Sequence, residues 1–580
     1  MDRRTIWAIL LMMAIAVAPA VFMKRESGEA GKRGSQTVSP ADTPAATVPS
    51  DRDSVPLEQP DRRTPEPVTS PLPRVPASPA DDTVRVTSPL YTYGISVRGG
   101  RLVEAQLKRY RSMAPSDSGR PAQILPRESR LLAHTLVLGR DTISLDDWPF
   151  TVSAKSLDVR EPSRLRLSAS RNGINLELTY TFHPDDYRVD VSGRVSGVGP
   201  NGGQLLVGMG PTVENTEANL EENQRELALV TRRDDTERTN LSGLEPGEAR
   251  TLSGPFRWVA LKSKYFVTGL LLTDSTDAGI SGVTAAAPAS AGDDPTSADI
   301  RVSLPLPPSG TFGYTVYAGP MEYERLERLG HDFDDVNPYG WPGFRTIIRI
   351  FAVPVRWLLV WMHENLHLAY GLVLVVFGIL VRVLLWPLNQ KAMRANMKLQ
   401  EVQPLMKEIQ ERHKSDPQKV QQEMFKLYKE HGVNPLGGCW PLMLPMPILF
   451  ALFFVFQNAI ELRGTSFLWI PDLSRPDPLY VIPILMGASM YFLTKVGQVG
   501  MEPNPQMKMM LYIMPVMMTA MFLFFPSGLN LYYTVSNIAS IPQQWMLARE
   551  RQKRTAKAMV AVKTRMPEPK PKPAREKRKA

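Results

Sequence analysis

The stretch GLVLVVFGILVRVLLWP, residues 371–387, decides the fold, because it is apolar throughout except for one arginine, Arg382. With its neighbours it forms a segment, 366–387, that at about 1.5 Å per residue can cross the roughly 30 Å hydrocarbon core of a bilayer. Further apolar segments follow at 440–460, 479–495, 508–526 and 529–547. Some carry proline, which membrane helices tolerate. The chain is therefore predicted to be a polytopic α-helical membrane protein.

The N-terminus supplies a sixth candidate span. Residues 5–23 contain no charge and are flanked by arginines before and by Lys24 and Arg25 after. Ala18-Pro19-Ala20 has the small-residue spacing of a signal peptidase site, so a cleaved signal peptide is the alternative. The apolar run is long for a signal peptide. We therefore interpret residues 1–23 as an N-terminal transmembrane anchor.

Two regions of different character separate this anchor from the other spans. Residues 24–82 contain eleven prolines among polar and charged residues, which predicts a disordered, extended linker. In residues 83–320, short runs alternate between apolar and polar residues, most clearly at 174–182 after Asn172-Gly173. This alternation predicts strands and hairpins. We expect an all-β sandwich domain here.

A basic helix is predicted between this domain and the spans. In residues 343–361, Arg345, Arg349 and Arg356 fall on one helical face among many large apolar residues. The pattern suits an amphipathic helix in the membrane interface. An ordinary domain helix with a basic stripe is the alternative. We therefore predict that residues 321–365 form a connector and an interfacial helix.

The orientation follows from the basic loops. Residues 388–437 contain nine Lys and Arg, and the tail 549–580 contains thirteen against three acidic residues, a net of +10 that equals the charge of the whole chain. Basic loops remain in the cytoplasm. Both termini are therefore predicted to be cytoplasmic, with residues 24–365 largely outside, six crossings in total and a basic cytoplasmic tail at 548–580.

The loop 388–437 has helical patterns of its own. Residues 402–409 and 420–428 repeat apolar side chains at helical spacing. Between them, Ser415-Asp416-Pro417 has the order of a helix cap followed by proline, and Gly432 marks an end. We predict an antiparallel helical hairpin in the cytoplasm; two surface helices with only a packing role are the alternative.

The sequence gives no sign of an enzyme. It lacks a nucleophile elbow, a phosphate-binding glycine motif and an H-E-x-x-H motif. Its single cysteine, Cys439, excludes a multi-cysteine zinc site. His363 and His367 share a helix spacing, but no further ligand is evident. We predict no cofactor and no bound metal.

Arg382 is the residue that most needs an explanation. An arginine at the bilayer centre costs about 2.5–3.5 kcal/mol on insertion scales, and no Asp or Glu lies inside the later spans, since Glu461 is at the end of its segment. Arg382 lies five residues before Pro387, so its side chain can snorkel to the interface. A hydrated cavity open to the cytoplasm is the alternative that the residues leave equally open.

Polar side chains on other spans favour a cavity, although interhelical hydrogen bonds would also account for them. The candidates to line it are Gln457, Asn530, Tyr532, Tyr533, Ser536 and Asn537. Methionines, which accept varied apolar partners, recur in two spans. The candidates for an apolar path are Met443, Met446, Met510, Met514, Met517 and Met518. Plain core or lipid-facing packing is their alternative role.

Three motifs carry a resemblance to a known family. The runs LVRVLLWPL (380–388), NPLGGCWPLMLPMPI (434–448) and FPSGLNLYYTVSNIASIPQQW (525–545) resemble the YidC membrane protein insertases, which are related to the Oxa and Alb proteins. The resemblance is strong over about 340–550. FRWVALKSKYFVTGLL (256–271) resembles, more weakly, the later part of the periplasmic domain found in the Gram-negative form.

The resemblance implies a five-helix insertase core at 366–547 around a hydrophilic groove open to the cytoplasm. Arg382 matches the family's groove arginine, and Tyr533 matches a tyrosine that contacts substrate. Gly378 departs from the family, which often has threonine there. The methionine positions match helices along which substrates slide. Residues 83–320 would form a periplasmic β-supersandwich, a fold similar to sugar-binding domains, from which we infer no sugar activity.

The function implied is insertion and chaperoning of nascent inner-membrane proteins, alone or with the Sec translocon. Membrane lipids are the other partners, together with the ribosome and signal recognition components, through the cytoplasmic hairpin and the basic tail. The tail alone could bind RNA phosphates or anionic lipid. Alternatively, it could simply fix the orientation of the chain in the membrane. A small-solute transporter and an outer-domain receptor on a passive anchor are rival classes. No repeat symmetry or paired intramembrane charge supports a transporter.

Overall fold

The computed structural model describes residues 83–272, 279–290, 296–340, 344–413, 416–431, 446–500 and 505–565. The predicted anchor 1–23, the linker 24–82 and the last part of the tail, 566–580, lie outside these residues. The chain divides into two compact units. One, the β unit, comprises Met1–Ser263 with Thr268–Gly319, and the other, the helical unit, comprises Lys264–Val267 with Pro320–Ala580.

Strands dominate the described residues between 83 and 320. The first ten are β1 (Thr83–Thr87), β2 (Tyr91–Ser96), β3 (Leu102–Arg111), β4 (Pro121–Gln123), β5 (His134–Leu138), β6 (Asp141–Ser144), β7 (Thr151–Val152), β8 (Ser156–Asp158), β9 (Ser163–Arg171) and β10 (Ile174–Phe182). The next ten are β11 (Arg188–Ser196), β12 (Gly203–Gly208), β13 (Ala228–Arg232), β14 (Thr236–Asn240), β15 (Ala249–Phe256), β16 (Trp258–Lys262), β17 (Phe266–Leu272), β18 (Ile280–Ala286), β19 (Asp299–Leu306) and β20 (Thr311–Pro320). One short helix, α1 (Leu220–Arg225), interrupts them.

The strands form three sheets. Their orders are β4-β3-β2-β1-β8, then β14-β13-β16-β17-β20-β11-β10-β9-β7, and β15-β18-β19-β12-β5-β6. The predicted hairpin is confirmed: β9 and β10 pair antiparallel around Asn172 and Gly173, which both have positive φ, as a two-residue turn requires. Buried tyrosines join the sheets, since the Tyr93 hydroxyl on β2 donates to the Ala318 carbonyl on β20 at 2.7 Å.

The described residues contain ten α-helices, and nine of them follow the strands. They are α2 (Tyr323–Arg328), α3 (Arg345–Leu366), α4 (Tyr370–Glu401), α5 (Gln403–Arg412), α6 (Pro417–Glu430), α7 (Met446–Asn458), α8 (Val481–Gly497), α9 (Pro505–Phe522) and α10 (Ser527–Arg565). α10 packs against α4 and α8, α3 packs against α7, and α8 packs against α9. Their shared core buries Phe377, Val455, Leu529 and Tyr532.

Helix length bears on the predicted number of spans. In the described part of the chain, two helical stretches are long and apolar enough to cross a membrane by length and composition, Arg345–Leu366 and Tyr370–Gln390. Val481–Gly497 and Met507–Phe522 are shorter apolar helices. The first stretch is α3, which we expected to lie in the interface. Six spans are therefore not established by helix length.

The segment predicted to form a helical hairpin contains two helices, α5 and α6. Asp416 caps α6 by accepting a hydrogen bond from the Lys419 backbone amide at 3.1 Å, and Pro417 occupies the first position of the helix. Val402 and Leu427 form a small core between α5 and α6. α6 ends at Glu430, and Gly432, the predicted stop, lies outside the described residues.

Candidate functional site

Arg382 is a half-buried side chain on α4, with apolar residues before and after it. Its Nε donates a hydrogen bond to the Ser536 hydroxyl on α10 at 2.7 Å. Tyr532 and Tyr533 are the other polar groups near the guanidinium, and no carboxylate in the described residues forms an ion pair with it. Within the part of the chain that the structure describes, the polar groups near the charge of Arg382 are therefore hydroxyls.

Helix α10 contacts several of the helices near Arg382, because neighbouring aromatic residues along it face different helices. Tyr532 lies between Phe377 on α4 and Phe456 on α7, with ring centroids 5.8 and 6.2 Å away. Tyr533 meets Phe522 of α9 edge-on at 5.3 Å. Neighbouring positions on one helix thus reach three other helices, and Arg382 sits beside them.

Two predicted groove residues have internal partners. Asn530 is fully buried, and its amide donates to the Phe522 carbonyl at the end of α9 at 2.9 Å. Asn537 donates to the Ser489 hydroxyl on α8 at 3.2 Å. These contacts are the interhelical hydrogen bonds that such residues often form in membranes. Both asparagines therefore join helices around Arg382.

The remaining predicted positions are spread along the helices. Gln457 is half-buried, one residue before α7 ends. Met510 and Met514 are exposed on α9, whereas Met517 is half-buried and Met518 packs against the core. Two methionines of the predicted apolar path remain. Met443 lies outside the described residues, and Met446 begins α7 with its side chain outside them.

Gly378 lies where α4 and α10 approach closely. A Cβ atom added there would be 3.2 Å from Cγ1 of Val535, which is a tight contact. Glycine lets the two helices come together, as small residues do at membrane helix interfaces. A threonine at this position would need Val535 to shift. Gly378 therefore sets the packing of α4 on α10 one helical turn from Arg382.

The basic stripe of α3 does not face outward as a whole. Arg349 pairs with Asp334, with the two charged groups 2.7 Å apart. Arg356 is 7% exposed, donates to the Tyr339 hydroxyl at 2.7 Å and pairs with Glu461. The exposed face of α3 instead carries large apolar residues, namely Ile347, Ile350, Phe351, Trp357 and Trp361, and the exposed Phe344 precedes the helix. Two of the three arginines thus stabilise the helical unit internally.

Sequence reasoning missed this second charged site. The sequence places Glu461 at the end of a span and does not reveal that it pairs with Arg356. A buried arginine needs a partner, so the acidic residues at 332–335 and 461 were the available signal. His363, considered as a metal ligand, instead has its Nδ1 2.7 Å from the Leu368 carbonyl and stacks on Tyr370.

Together, these features define a protein with a large all-β domain and a bundle of apolar helices, in which Arg382 has no carboxylate partner among the described residues. The family models of the 60Kd inner membrane protein and of the YidC periplasmic domain match residues 361–555 and 83–358. The chain belongs to the YidC family of membrane protein insertases. It is thus an inner-membrane protein with an all-β periplasmic domain, and it acts on nascent membrane proteins.

Individual relatives agree over most of the chain. The membrane protein insertase YidC of Chlorobaculum parvum is 30% identical over 495 residues, which cover 80% of this chain and 82% of the relative. That of Cupriavidus necator is 31% identical over 508 residues, covering 85% and 87%. A crystal structure of an active YidC insertase with its first transmembrane domain resolved is 17% identical, with a TM-score of 0.32, covering 81% of this chain and 93% of that one.

Proposed function

We propose that this insertase works through a hydrophilic groove, open to the cytoplasm, in which Arg382 receives the polar part of a substrate. The observation that carries the proposal is the absence of a carboxylate partner for Arg382 among the described residues. A charge in an apolar helix requires water or a counter-charge. In this groove both come from outside the protein fold: water in the resting state, and the acidic, outside-bound end of a substrate during insertion.

The groove lowers the cost of moving polar groups partway across the bilayer. The Ser536 hydroxyl holds the Arg382 side chain at Nε, which leaves the two terminal nitrogens of the guanidinium for an anion. Tyr533 lies beside it as a second polar contact. The groove thus contributes through positioning and charge, with Gln457, Asn530 and Asn537 supporting the helices that form it. Burial of the substrate's apolar segment in lipid drives its release.

The experiment compares three variants in an insertion assay with reconstituted vesicles. Arg382→Ala should lose most insertion of substrates with acidic outside-bound ends, whereas Arg382→Lys should retain most of it, because it keeps the charge. The matched control is Arg394→Ala on the same helix, since Arg394 is half-exposed and lies 3.6 Å from Glu550. Equal insertion by Arg382→Ala and Arg394→Ala across such substrates would refute the role of the charge.

The apolar part of the substrate would follow a path along α7 and α9. Met510 and Met514 present flexible, exposed side chains there, and methionine adapts to varied apolar surfaces. Met443, Met446, Met517 and Met518 complete the proposed path. Site-directed crosslinking of a stalled nascent chain should yield adducts at positions in 440–460 and 508–526. Adducts at the exposed face of α3 instead would contradict this path.

The membrane topology in this proposal has six crossings with both termini in the cytoplasm. The first crossing is the uncleaved anchor 1–23, and the others are 366–387, 440–460, 479–495, 508–526 and 529–547. The support is the basic loop and tail, which the positive-inside rule places together. Reporter fusions at residues 330, 415 and 555 test it: only the first should be active outside the membrane.

The proposed cytoplasmic partners are the ribosome and signal recognition components, and the Sec translocon would act beside this chain for some substrates. The hairpin α5–α6 and the tail 549–580 are the surfaces involved, and the thirteen basic residues of the tail would bind RNA phosphates. Deletion of 549–580 should reduce co-sedimentation with ribosomes, most strongly at low salt. Unchanged co-sedimentation would leave anionic lipid as the partner of the tail.

A further inference from the structure

The segment 463–480, which joins α7 to α8 and is called here the α7–α8 loop, displays four large apolar side chains. Leu468 is 73% exposed, Leu479 62%, Tyr480 49% and Trp469 37%. Single exposed apolar residues on a protein surface need no explanation. Four in one short loop form a patch, and such patches mark an interaction with a membrane or another molecule.

This exposure does not come from a loose loop. Phe467 and Ile470 exchange two backbone hydrogen bonds of 2.9 Å, so that Leu468 and Trp469 form the tip of a tight turn. Asp477 accepts hydrogen bonds from the backbone amides of Leu479 and Ile482 at 3.0 and 2.8 Å. The apolar side chains are therefore held outward by a fixed framework.

The other side of the loop is tied to α10. The Leu473 carbonyl accepts a hydrogen bond from the Gly528 amide at 2.9 Å, and the Arg475 carbonyl accepts one from the Ser527 amide at 2.7 Å. The Leu473 side chain is fully buried. The loop thus has an inner face that packs on the helical unit and an outer face that carries the apolar patch.

Two of the exposed residues are in a costly backbone conformation. Leu468 has φ 54° and Tyr480 has φ 55°, in the left-handed region that favours glycine or asparagine. If only the backbone conformation mattered at these two positions, glycine would adopt it without loss of stability. Glycine would also avoid exposing a large side chain to water. Strain combined with exposure therefore indicates that the side chains themselves have a partner.

The surrounding surface identifies the partner. The patch continues directly into α8, where Ile484 and Leu485 are 57% and 45% exposed, and the family places this chain in the inner membrane. Tryptophan and tyrosine concentrate where headgroups meet acyl chains. Trp469 fits this position, because its Nε1 donates to Asp477 at 3.2 Å while part of its ring remains exposed.

We propose that the α7–α8 loop inserts its apolar patch into the bilayer, at the boundary between phospholipid headgroups and acyl chains. The loop would then anchor the adjoining ends of α7, α8 and α10 at a fixed depth. The leaflet is the outer one under the topology proposed above, whereas insertion itself does not depend on that topology or on the groove.

Depth-dependent fluorescence quenching tests this proposal in proteoliposomes of the full chain. Leu468→Cys and Leu479→Cys are made separately with Cys439→Ser, which removes the only native cysteine, and labelled with an environment-sensitive dye. Two reference positions are treated alike: Ile379→Cys, 46% exposed within the apolar segment 366–387, and Arg171→Cys, exposed on β9 of the β unit.

Dyes at 468 and 479 should be quenched more by nitroxides attached near the lipid headgroup than by nitroxides deep in the acyl chain, with the opposite order at 379. Quenching by aqueous iodide should be several-fold weaker at 468 and 479 than at 171. Iodide quenching equal to that at 171 would show a loop in water and overturn the proposal. Protection from both lipid and iodide quenchers would also overturn it, because protein would then cover the patch.

Discussion

Two arginines in neighbouring helices show how the environment of one residue sets its role. Arg356 on α3 is buried with Glu461 and the Tyr339 hydroxyl, so its charge is neutralised inside the protein. Arg382 on α4 has a hydroxyl partner, Ser536, and no carboxylate within the described residues. The first arginine therefore contributes to structure. The second retains the capacity to bind an anion, which is the property that the proposed groove requires.

The Arg356–Glu461 pair predicts a strong effect of removing one partner. Glu461→Gln would leave Arg356 buried without a counter-charge, at a cost of about 3–5 kcal/mol. We expect a clearly lower Tm of the purified protein. Replacing both residues by methionine should recover part of the loss. The control is Glu408→Gln, whose pair with Arg412 is mostly exposed and contributes under about 1 kcal/mol; a Tm equal to that of this control would contradict the prediction.

His134 predicts a pH dependence of the β unit. Its side chain is buried, its Nε2 lies 2.7 Å from the Tyr314 hydroxyl, and burial lowers its pKa to about 4 from 6.5. Between these values the unfolded chain binds the proton and the folded chain does not. Stability contributed by neutral His134 is therefore lost as pH falls from 6.5 to 4, by about 3 kcal/mol in total.

Chemical denaturation of the full chain at a series of pH values, followed by a signal from the β unit, measures this effect. His134→Gln cannot titrate, so its stability should be lower at pH 7 but flatter between pH 6.5 and 4. The same slope in the unmodified protein and in His134→Gln would exclude His134 as its source.

At the scale of elements, close packing of helices depends on individual glycines. A Cβ atom at Gly487 of α8 would lie 1.9 Å from Oγ1 of Thr519 on α9, and that hydroxyl is already bonded to the Pro515 carbonyl. At Gly497 of the same helix the nearest atom, at 3.3 Å, is the end of the flexible Gln544 side chain. The two glycines thus differ in what an added methyl group would meet.

The same substitution, glycine to alanine, is expected to have opposite effects on thermal stability at these two positions. Gly497→Ala should be neutral or slightly stabilising, since alanine is favoured over glycine in a helix by about 0.5–1 kcal/mol. Gly487→Ala should lower the Tm, because α8 and α9 must separate or Thr519 must rotate away from its partner. Thermal unfolding of both variants in the same detergent measures the difference. A Tm of Gly487→Ala at or above that of Gly497→Ala would show that the interface yields without cost.

The elements also show what local sequence can predict. The hairpin β9–β10 and the cap at Asp416 were predicted correctly, because period-two alternation, Asn-Gly and Asp-Pro act within a few residues. The ends of α4 and α10 were not, since both helices continue past their apolar spans and past Pro387 and Pro542. Hydropathy marks where a helix enters lipid, and it carries no signal for where a polar helix continues.

Ion pairs and hydrogen bonds between residues far apart in the sequence could not be predicted, for a different reason. Arg356 and Glu461 are 105 residues apart, and His134 and Tyr314 are 180 apart. A single sequence shows that a buried charge needs a partner but does not show which of many candidates the fold brings near. The lack of acidic residues in the spans near Arg382 can be counted directly in the sequence. That count leaves snorkelling and a hydrated cavity equally open, so the role of Arg382 in a groove stays a prediction.

At the scale of the whole molecule, the two compact units each have their own buried core: tyrosines and aliphatic residues between sheets in the β unit, and the cluster around Tyr532 in the helical unit. Because separate cores can fold independently, the proposed groove should not need the β unit. All residues in the groove proposal lie beyond residue 370. If the protein were instead an outer-domain receptor on a passive membrane anchor, its activity would lie in the β unit.

Replacing residues 83–320 by a flexible linker distinguishes these possibilities; it removes the described part of the β unit together with Lys264–Val267 of the helical unit. We expect the shortened chain to remain in the membrane and to keep a large part of its insertion activity, because α4 and α7–α10 supply Arg382, Tyr533 and the methionine path. Insertion of a short acidic-ended substrate into vesicles is the measurement, normalised to the amount of folded protein. Arg382→Ala in the same shortened chain should remove that activity. Complete loss of insertion by a folded shortened chain would place an essential step in the β unit.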